Sequence, residues 1–337
     1  MSKDEIIIRN AIIHILDSRV GVPVLSGNLL EMSPDLNDMI RGYIYKIATG
    51  DELKQCSFEE GESKVFSILQ GFEEDYLVAT SQELAKELYA IMNANIEIPP
   101  ADFLVATYQV NGILHMALLK LNYKETFMHL TGNTEEGTNY NDIVKQTATL
   151  PSPSQKLSEA VLINMEDFSV QVIEKKYDIN GVKENYLSKL FLKCHAKMSQ
   201  KTKMAIVNRA VEQINKKYFE EDFDKQLETK SIIQQEMQDS GSLHMDCIGE
   251  KMYGAIPEIK EEFTEKLDKY NLTSDEICPQ SETTTKRYQK QYITTDTGIE
   301  INIPMDQYNE NENVEFITDP EGTISIVIKN INHISTR

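Results

Sequence analysis

Lys189, Lys193, Lys197 and Lys201 recur every four residues, and ammonium groups repeated at that interval suit contact with a run of phosphates. On a helix a four-residue step turns about 40°, so the four lysines predict a slanting cationic stripe roughly 18 Å long. Leu187, Phe191, Cys194 and Met198 would occupy the neighbouring face and pack, with Leu190 intruding on the cationic one. Lys203, Arg209, Lys216 and Lys217 widen the patch. These residues lie in a basic island. Residues 175–217 carry 11 Lys/Arg against only Asp178, Glu184 and Glu212, whereas residues 1–174 carry 12 against 26 and residues 218–337 carry 11 against 25. Charge segregated in this way fits an anionic polymer, nucleic acid above all.

Lysine is a point charge suited to phosphate, whereas bidentate base reading favours Arg, Asn or Gln. Arg209 is the sole arginine of the island, and Asn208 and Gln200 are the residues with the chemistry to reach a base edge. Non-specific contact with the backbone is therefore the expectation. A rival chemistry is metal-dependent cleavage. Glu174-Lys175-Lys176, with Asp142 and Asp167, faintly resembles a carboxylate pair for Mg²⁺ beside a lysine that stabilises a charged transition state. In a chain with 26% charged residues such a triplet arises by chance, and a strand end meeting solvent is the preferred reading. No P-loop, dinucleotide turn, G-x-S-x-G or H-E-x-x-H occurs, so no catalytic residue, metal or cofactor is expected. His14 and His115 sit in β-rich runs and read as packed or strand-face residues. Cys56, Cys194, Cys247 and Cys278 are scattered without C-x-x-C spacing and read as reduced thiols.

The chain as a whole has a net charge of −20 and would be repelled from DNA at long range, so any contact must be local or brought about by a partner. Glu59, Glu60 and Glu62, Glu73-Glu74-Asp75 and Glu220-Glu221-Asp222 read first as solvated faces, with docking of a basic protein or mimicry of DNA as the alternatives. The longest apolar runs fall far short of a membrane span, and Met1-Ser2-Lys3-Asp4-Glu5 lacks a cationic signal start. A cytosolic protein without membrane contact is expected.

Around the island, the sequence predicts an α+β fold. Glu5–Leu16 and Val22–Leu25 read as strands. Ser33-Pro34 starts a helix through Ile47, and Ser81 starts another through Met92. Phe103–Val110 and Ile113–Leu121 form a hairpin on Asn111-Gly112, a dipeptide that accepts the positive φ values of a type I′ turn. Thr131–Asn141 reads as a polar loop, followed by strands at Ile143–Leu150, Leu157–Asn164 and Phe168–Lys175. Short connections favour an antiparallel sheet. Val182–Tyr270 reads as helical, interrupted near Glu220–Asp224 and Gly254–Pro257. Arg287–Thr295, Ile299–Ile303, Val314–Thr318 and Thr323–Lys329, with turns at Asp296–Gly298, Tyr308–Asn313 and Asp319–Gly322, suit a small β-meander. The expected division is an N-terminal α+β domain (residues 1–178), a helical region with the basic island (179–282) and the C-terminal meander (283–337).

The opening IIIRNAIIHILDSRVGVPVLSGNLLE, the hairpin ADFLVATYQVNGILHMALLKLN, the segment NYLSKLFLKCHAKMSQKTKMAIVNRAV and the closing IEINIPMDQYNENENVEFITDPEGTISIVIKN together resemble the NdpA-type bacterial nucleoid-associated protein family over nearly the whole chain. The resemblance implies a cytoplasmic, nucleoid-located, non-catalytic protein that binds DNA and is linked to type II topoisomerases; it brings no catalytic residues, and homodimerisation stays open. The competing reading is an acidic adaptor that docks a DNA-processing enzyme without touching DNA, with a metal-dependent nuclease third.

Overall fold

The computed structural model describes residues 2–19, 21–59, 61–135, 137–220, 222–304, 313–319 and 323–335. The chain divides into two compact units, residues 1–198 and 199–337.

The first unit is built on a seven-stranded antiparallel sheet. Its strands are β1 (Ile7–Leu16), β2 (Lys54–Phe58), β3 (Ala101–Val110), β4 (Ile113–Asn122), β7 (Ala160–Asn164), β8 (Val170–Ile173) and β11 (Cys194–Ala196), in the order β1-β3-β4-β7-β8-β2-β11. The predicted hairpin is its centre. Asn111 and Gly112 take φ of 51° and 81°, and β3 pairs with β4 without a register break from Ala101↔Asn122 to Val110↔Ile113. Both faces of the sheet are covered, which is why these strands read as nearly continuous apolar runs. Ile12, Phe103, Val105, Met116, Leu118 and Val161 pack with Leu84, Leu88 and Met92 of helix α3 (Leu77–Ala94). On the other face, Leu104, Ala106, Ala117, Leu119 and Leu162 pack with Ile40, Tyr43, Ile44 and Ile47 of α1 (Pro34–Ala48). Alternation along each strand thus feeds two cores. Ser33 caps α1 by accepting from the Leu36 N–H at 3.2 Å, with Pro34 at the first helical position, as predicted. A short helix α2 (Lys64–Gln70) joins the α3 side.

Three expectations change. Val22–Leu25 contributes only a bridge at Ile15–Val24 and no full strand. Thr131–Asn141 is no open loop: β5 (Lys124–Asn133) and β6 (Asn139–Thr149) make a long hairpin of their own and turn only between them. The helical middle does not begin at Val182. β9 (Lys176–Ile179) and β10 (Val182–Asn185) form another hairpin on Asn180-Gly181, a π-helical turn spans Leu187–Leu192, and β11 then pairs with β2. The first unit therefore runs past the expected boundary at 178 to Met198, because its edge strand lies beyond it.

The second unit carries the helices α4 (Gln200–Tyr218), α5 (Phe223–Ser240), α6 (Met245–Tyr253), α7 (Pro257–Asp268) and α8 (Glu282–Tyr288), with a minimal pair β12 (Leu243–His244) and β13 (Glu276–Ile277). Met204, Val207, Val211 and Ile214 of α4 are buried, as are Ile248, Met252, Ile259 and Phe263. The C-terminal β region consists, among the described residues, of two hairpins, β14 (Lys290–Thr294) with β15 (Glu300–Pro304) and β16 (Val314–Thr318) with β17 (Ile324–Ile328). Most of the expected turns Tyr308–Asn313 and Asp319–Gly322 lies outside the described residues.

Candidate nucleic-acid interface

The four evenly spaced lysines do not share a helix. Lys189 sits in the π-helical turn, Lys193 ends that turn in the left-handed region at φ 48°, Lys197 follows β11, and Lys201 lies in the first turn of α4. Two interactions, one distant in sequence and one local, break the expected helix. The buried carboxylate of Glu174 accepts from the Ser188 N–H at 2.9 Å and the Ser188 hydroxyl at 2.7 Å, pinning the turn. Ser199 then caps α4 by accepting from the Thr202 N–H, so a new helix starts after a strand.

What replaces the stripe in the first unit is a basic sheet edge. The Glu59 N–H donates to the Lys193 carbonyl at 3.0 Å and the Lys197 N–H to the Gln55 carbonyl at 2.8 Å. These bonds bracket the β11–β2 pairing and fix both lysines at the outermost strand. Between them His195 is exposed, with Glu59 at 3.4 Å. The π-helical turn packs against both β10 and β11, bringing the β9–β10 hairpin and its Lys176 and Lys183 into the same neighbourhood. Lys175, Lys176, Lys183, Lys193 and Lys197 are exposed and make no ion pair among the described residues. Lys189 is exposed but paired with Glu184 at 2.5 Å. A lysine-bearing edge strand also blocks unwanted strand pairing, so the same residues have a structural use.

In the second unit, Lys201, Arg209, Lys216 and Lys217 are exposed along α4. Lys203 is largely covered and bound to Asp275 at 2.7 Å. Lys217 is held by Glu262 at 2.7 Å, and the Tyr218 hydroxyl donates to the same carboxylate at 2.7 Å. Those two donors hold Glu262 well down, at about 2. Neither candidate base reader is available: Asn208 donates to the Tyr288 hydroxyl at 2.8 Å, and Gln200 accepts from the Cys278 N–H at 3.2 Å.

Lys216 opens instead onto a cavity of about 530 Å³ that also presents Lys230, Lys290, Tyr288 and Tyr292, with Glu212 and Glu220 opposing them. Lys286, Tyr288, Lys290 and Tyr292 alternate basic and aromatic types in the sequence KRYQKQY, a pattern that suits phosphate contact beside base stacking. That interleaving is the signal in the sequence for the lysines and tyrosines that line this cavity.

The metal-cleavage arrangement is not assembled. Besides Ser188, Glu174 binds Lys54 at 3.0 Å. Asp167 accepts from the Ser169 N–H in its own turn, and Asp142 lies on the β5–β6 hairpin. Among the described residues no three His, Cys, Asp or Glu side chains are grouped to hold a metal ion. His14 is fully buried, as its place in a β-run predicts, and the four cysteines are free thiols. Among the described residues no helix is long and apolar enough to cross a membrane. Glu60 and Glu221 of the acidic clusters lie outside the described residues.

Comparison with curated individual proteins gives no match. The family model described as nucleoid-associated protein YejK matches residues 12–334. That match takes in the antiparallel sheet, the basic edge, the helices of the second unit and both C-terminal hairpins, and the chain belongs to the YejK family of nucleoid-associated proteins.

Proposed function

We propose that this chain is a non-catalytic nucleoid component that holds duplex DNA without sequence preference, through the basic edge of its first unit, and acts beside a type II topoisomerase. The observation that carries the DNA reading is a set of exposed lysines that make no ion pair among the described residues: Lys193 and Lys197 flanking the outermost strand, Lys176 and Lys183 on the β9–β10 hairpin that packs by the same turn, and Lys175 just before that hairpin. Lysine-only contact addresses phosphates and leaves base identity unread. The topoisomerase link rests on the family resemblance alone. The test is fluorescence anisotropy of a 30-base-pair duplex with the full chain at low salt: affinity that falls with salt and is indifferent to sequence supports the reading, and absence of binding refutes it.

One observation favours a second reading. Lys189, Lys203 and Lys217 are tied to Glu184, Asp275 and Glu262, so part of the island is neutralised within a chain of net charge −20. An adaptor that reaches DNA only through a bound enzyme would show no shift of bare duplex at low salt but would be retained by an immobilised type II topoisomerase.

A further inference from the structure

We propose that the cavity of the second unit is a binding site for a free nucleoside polyphosphate. At about 530 Å³ it falls in the range of pockets that take up a small molecule whole. Its walls come from α4, α5, α8 and β14, with the turn at Glu220. Val211 and Ile233, both buried, give it an apolar floor. The polar wall is fixed by its own hydrogen bonds. The buried Asn215 donates to the Thr229 hydroxyl at 3.0 Å and accepts from the Tyr253 hydroxyl at 3.3 Å, and Thr229 donates onward to the Gln226 carbonyl at 2.9 Å. Asn208 holds the Tyr288 hydroxyl at 2.8 Å and so anchors that ring in the lining. A site ordered in advance loses little affinity to the ordering of its own side chains.

The charges of the lining point to the ligand. Elsewhere in this unit lysines close on carboxylates, as Lys203 does on Asp275, Lys217 on Glu262 and Lys251 on Glu236. Lys216, Lys290, Glu212 and Glu220 all line the cavity, yet none of the four makes an ion pair among the described residues. Opposite charges held apart across one space suit a ligand that meets both kinds. Phosphate oxygens accept from the ammonium groups, and hydroxyl or amino hydrogens donate to the carboxylates. Inorganic phosphates at high charge offer only the first contact, whereas a nucleoside polyphosphate offers both.

Strand β14 adds the aromatic contact. Its residues alternate, with Gln291 buried and Lys290 and Tyr292 exposed on the other face. Tyr292 is 66% exposed. Next-but-one residues on a strand lie roughly 7 Å apart, so an ammonium and a ring stand side by side, as a phosphate and a base do across one sugar. Stacking on tyrosine accepts any base, since each has a π-face. The occupant is a free nucleotide rather than a nucleic-acid strand, because a strand would bring further phosphates against Glu212 and Glu220. Strands are also followed along open basic grooves, whereas this is a pocket walled by four elements. It belongs to the second unit, while the lysines proposed to hold duplex DNA all belong to the first.

The experiment is isothermal titration calorimetry on the full chain in magnesium-free buffer, with ATP, tripolyphosphate, adenosine and a short thymidine strand as the probes. ATP is expected to bind at one site per chain, and tripolyphosphate and adenosine each at least about tenfold more weakly. Tyr292→Ala should lower the ATP affinity roughly five- to a hundredfold, and Lys290→Gln about tenfold. Both side chains are exposed, so circular dichroism should not change. Lys269→Gln, at an exposed lysine of the same unit outside the cavity, should leave the affinity as it is. ATP that fails to bind at millimolar concentration overturns the proposal. Tripolyphosphate that matches ATP would reduce the site to a cationic patch, and equal losses from Lys290→Gln and Lys269→Gln would reduce it to general charge; either result overturns it. A thymidine strand that binds more tightly than ATP and is weakened by Tyr292→Ala would assign the cavity to nucleic acid and overturn it as well.

Discussion

At the scale of single residues, the basic edge rests on a buried polar network that sequence reading did not anticipate. Glu159 is fully buried and accepts from Lys120 at 3.2 Å, Asn122 at 2.6 Å, Tyr177 at 2.9 Å and Tyr186 at 2.6 Å. Burial pushes its carboxyl up, but the Lys120 charge and the three other donors outweigh this and hold it below the ordinary range. Tyr186 immediately precedes the π-helical turn and Tyr177 lies on β9, so one carboxylate ties β4 and β7 to the segment that carries the lysines. Glu159→Gln leaves the Lys120 ammonium buried without its counter-charge and should cost about 3–5 kcal/mol in urea unfolding; Lys120→Met combined with Glu159→Gln should recover part of that loss. If the double variant is as unstable as the two single losses added together, the two groups are not a pair. His14 is a second buried group with a readable consequence. The Ser81 hydroxyl donates to the Val78 carbonyl at 2.9 Å, so it accepts from His14 Nε2–H at 3.0 Å, while Nδ1 accepts from the Ser26 N–H at 3.1 Å. This neutral tautomer has no place for a second proton, and burial lowers its pKa to about 4 from 6.5. The unfolded chain therefore takes up a proton between pH 6.5 and about 4 that the native state refuses. The His14 contribution is complete above pH 6.5 and is lost as pH falls through that window. Nitrogen NMR at pH 5.5 should show His14 still neutral, with its proton on Nε2; a charged ring in the folded protein would refute this.

At the scale of elements, the same dipeptide was legible once and missed once. Asn111-Gly112 stood between two long β-branched runs, and the hairpin followed. Asn180-Gly181 has the same left-handed pair, φ 54° and 84°, but its flanks are four-residue strands rich in Lys, Asp and Glu, which carry little strand pattern. The lysine stripe failed for a related reason. A four-residue repeat is a helical period only if the backbone is helical throughout, and Glu174, a long-range partner, holds Ser188 in a π-turn. Nothing local to the lysines reveals that. The resulting geometry separates the lysines into those with and without counter-ions. Five exposed lysines that make no ion pair among the described residues imply a salt slope of roughly −4 to −5 on duplex DNA. Lys193→Gln with Lys197→Gln should flatten that slope by about 2 and weaken all sequences equally. Lys203→Gln with Lys217→Gln, which removes lysines already held by Asp275 and Glu262, should leave the slope within error. Equal effects from both pairs would show that the basic edge is not the contact.

At the scale of the whole molecule, the charge map and the unit boundary divide the island between two bodies. The island reads as one feature in the sequence, yet Lys189, Lys193 and Lys197 belong to the first unit and Lys201, Lys203, Arg209, Lys216 and Lys217 to the second. Both apolar clusters of the first unit are drawn from residues before 198, the last being Cys194. Its sheet closes with β11, and none of its seven strands comes from the second unit. A body of this size with its own two-sided core is within the range of independently folding domains. Residues 1–198 expressed alone should therefore unfold in a single cooperative transition, with near-ultraviolet circular dichroism characteristic of packed aromatics. Because this piece keeps all five lysines that lack ion pairs, it should also keep a salt slope close to that of the full chain. It sheds the whole of the acidic segment 218–337, so its affinity at low salt should rise. A fragment that folds cooperatively yet shows no binding would move the contact to the α4 side and the Tyr288–Tyr292 cavity, where Lys216, Lys230 and Lys290 converge. A fragment that stays unfolded would mean that the sheet depends on the second unit.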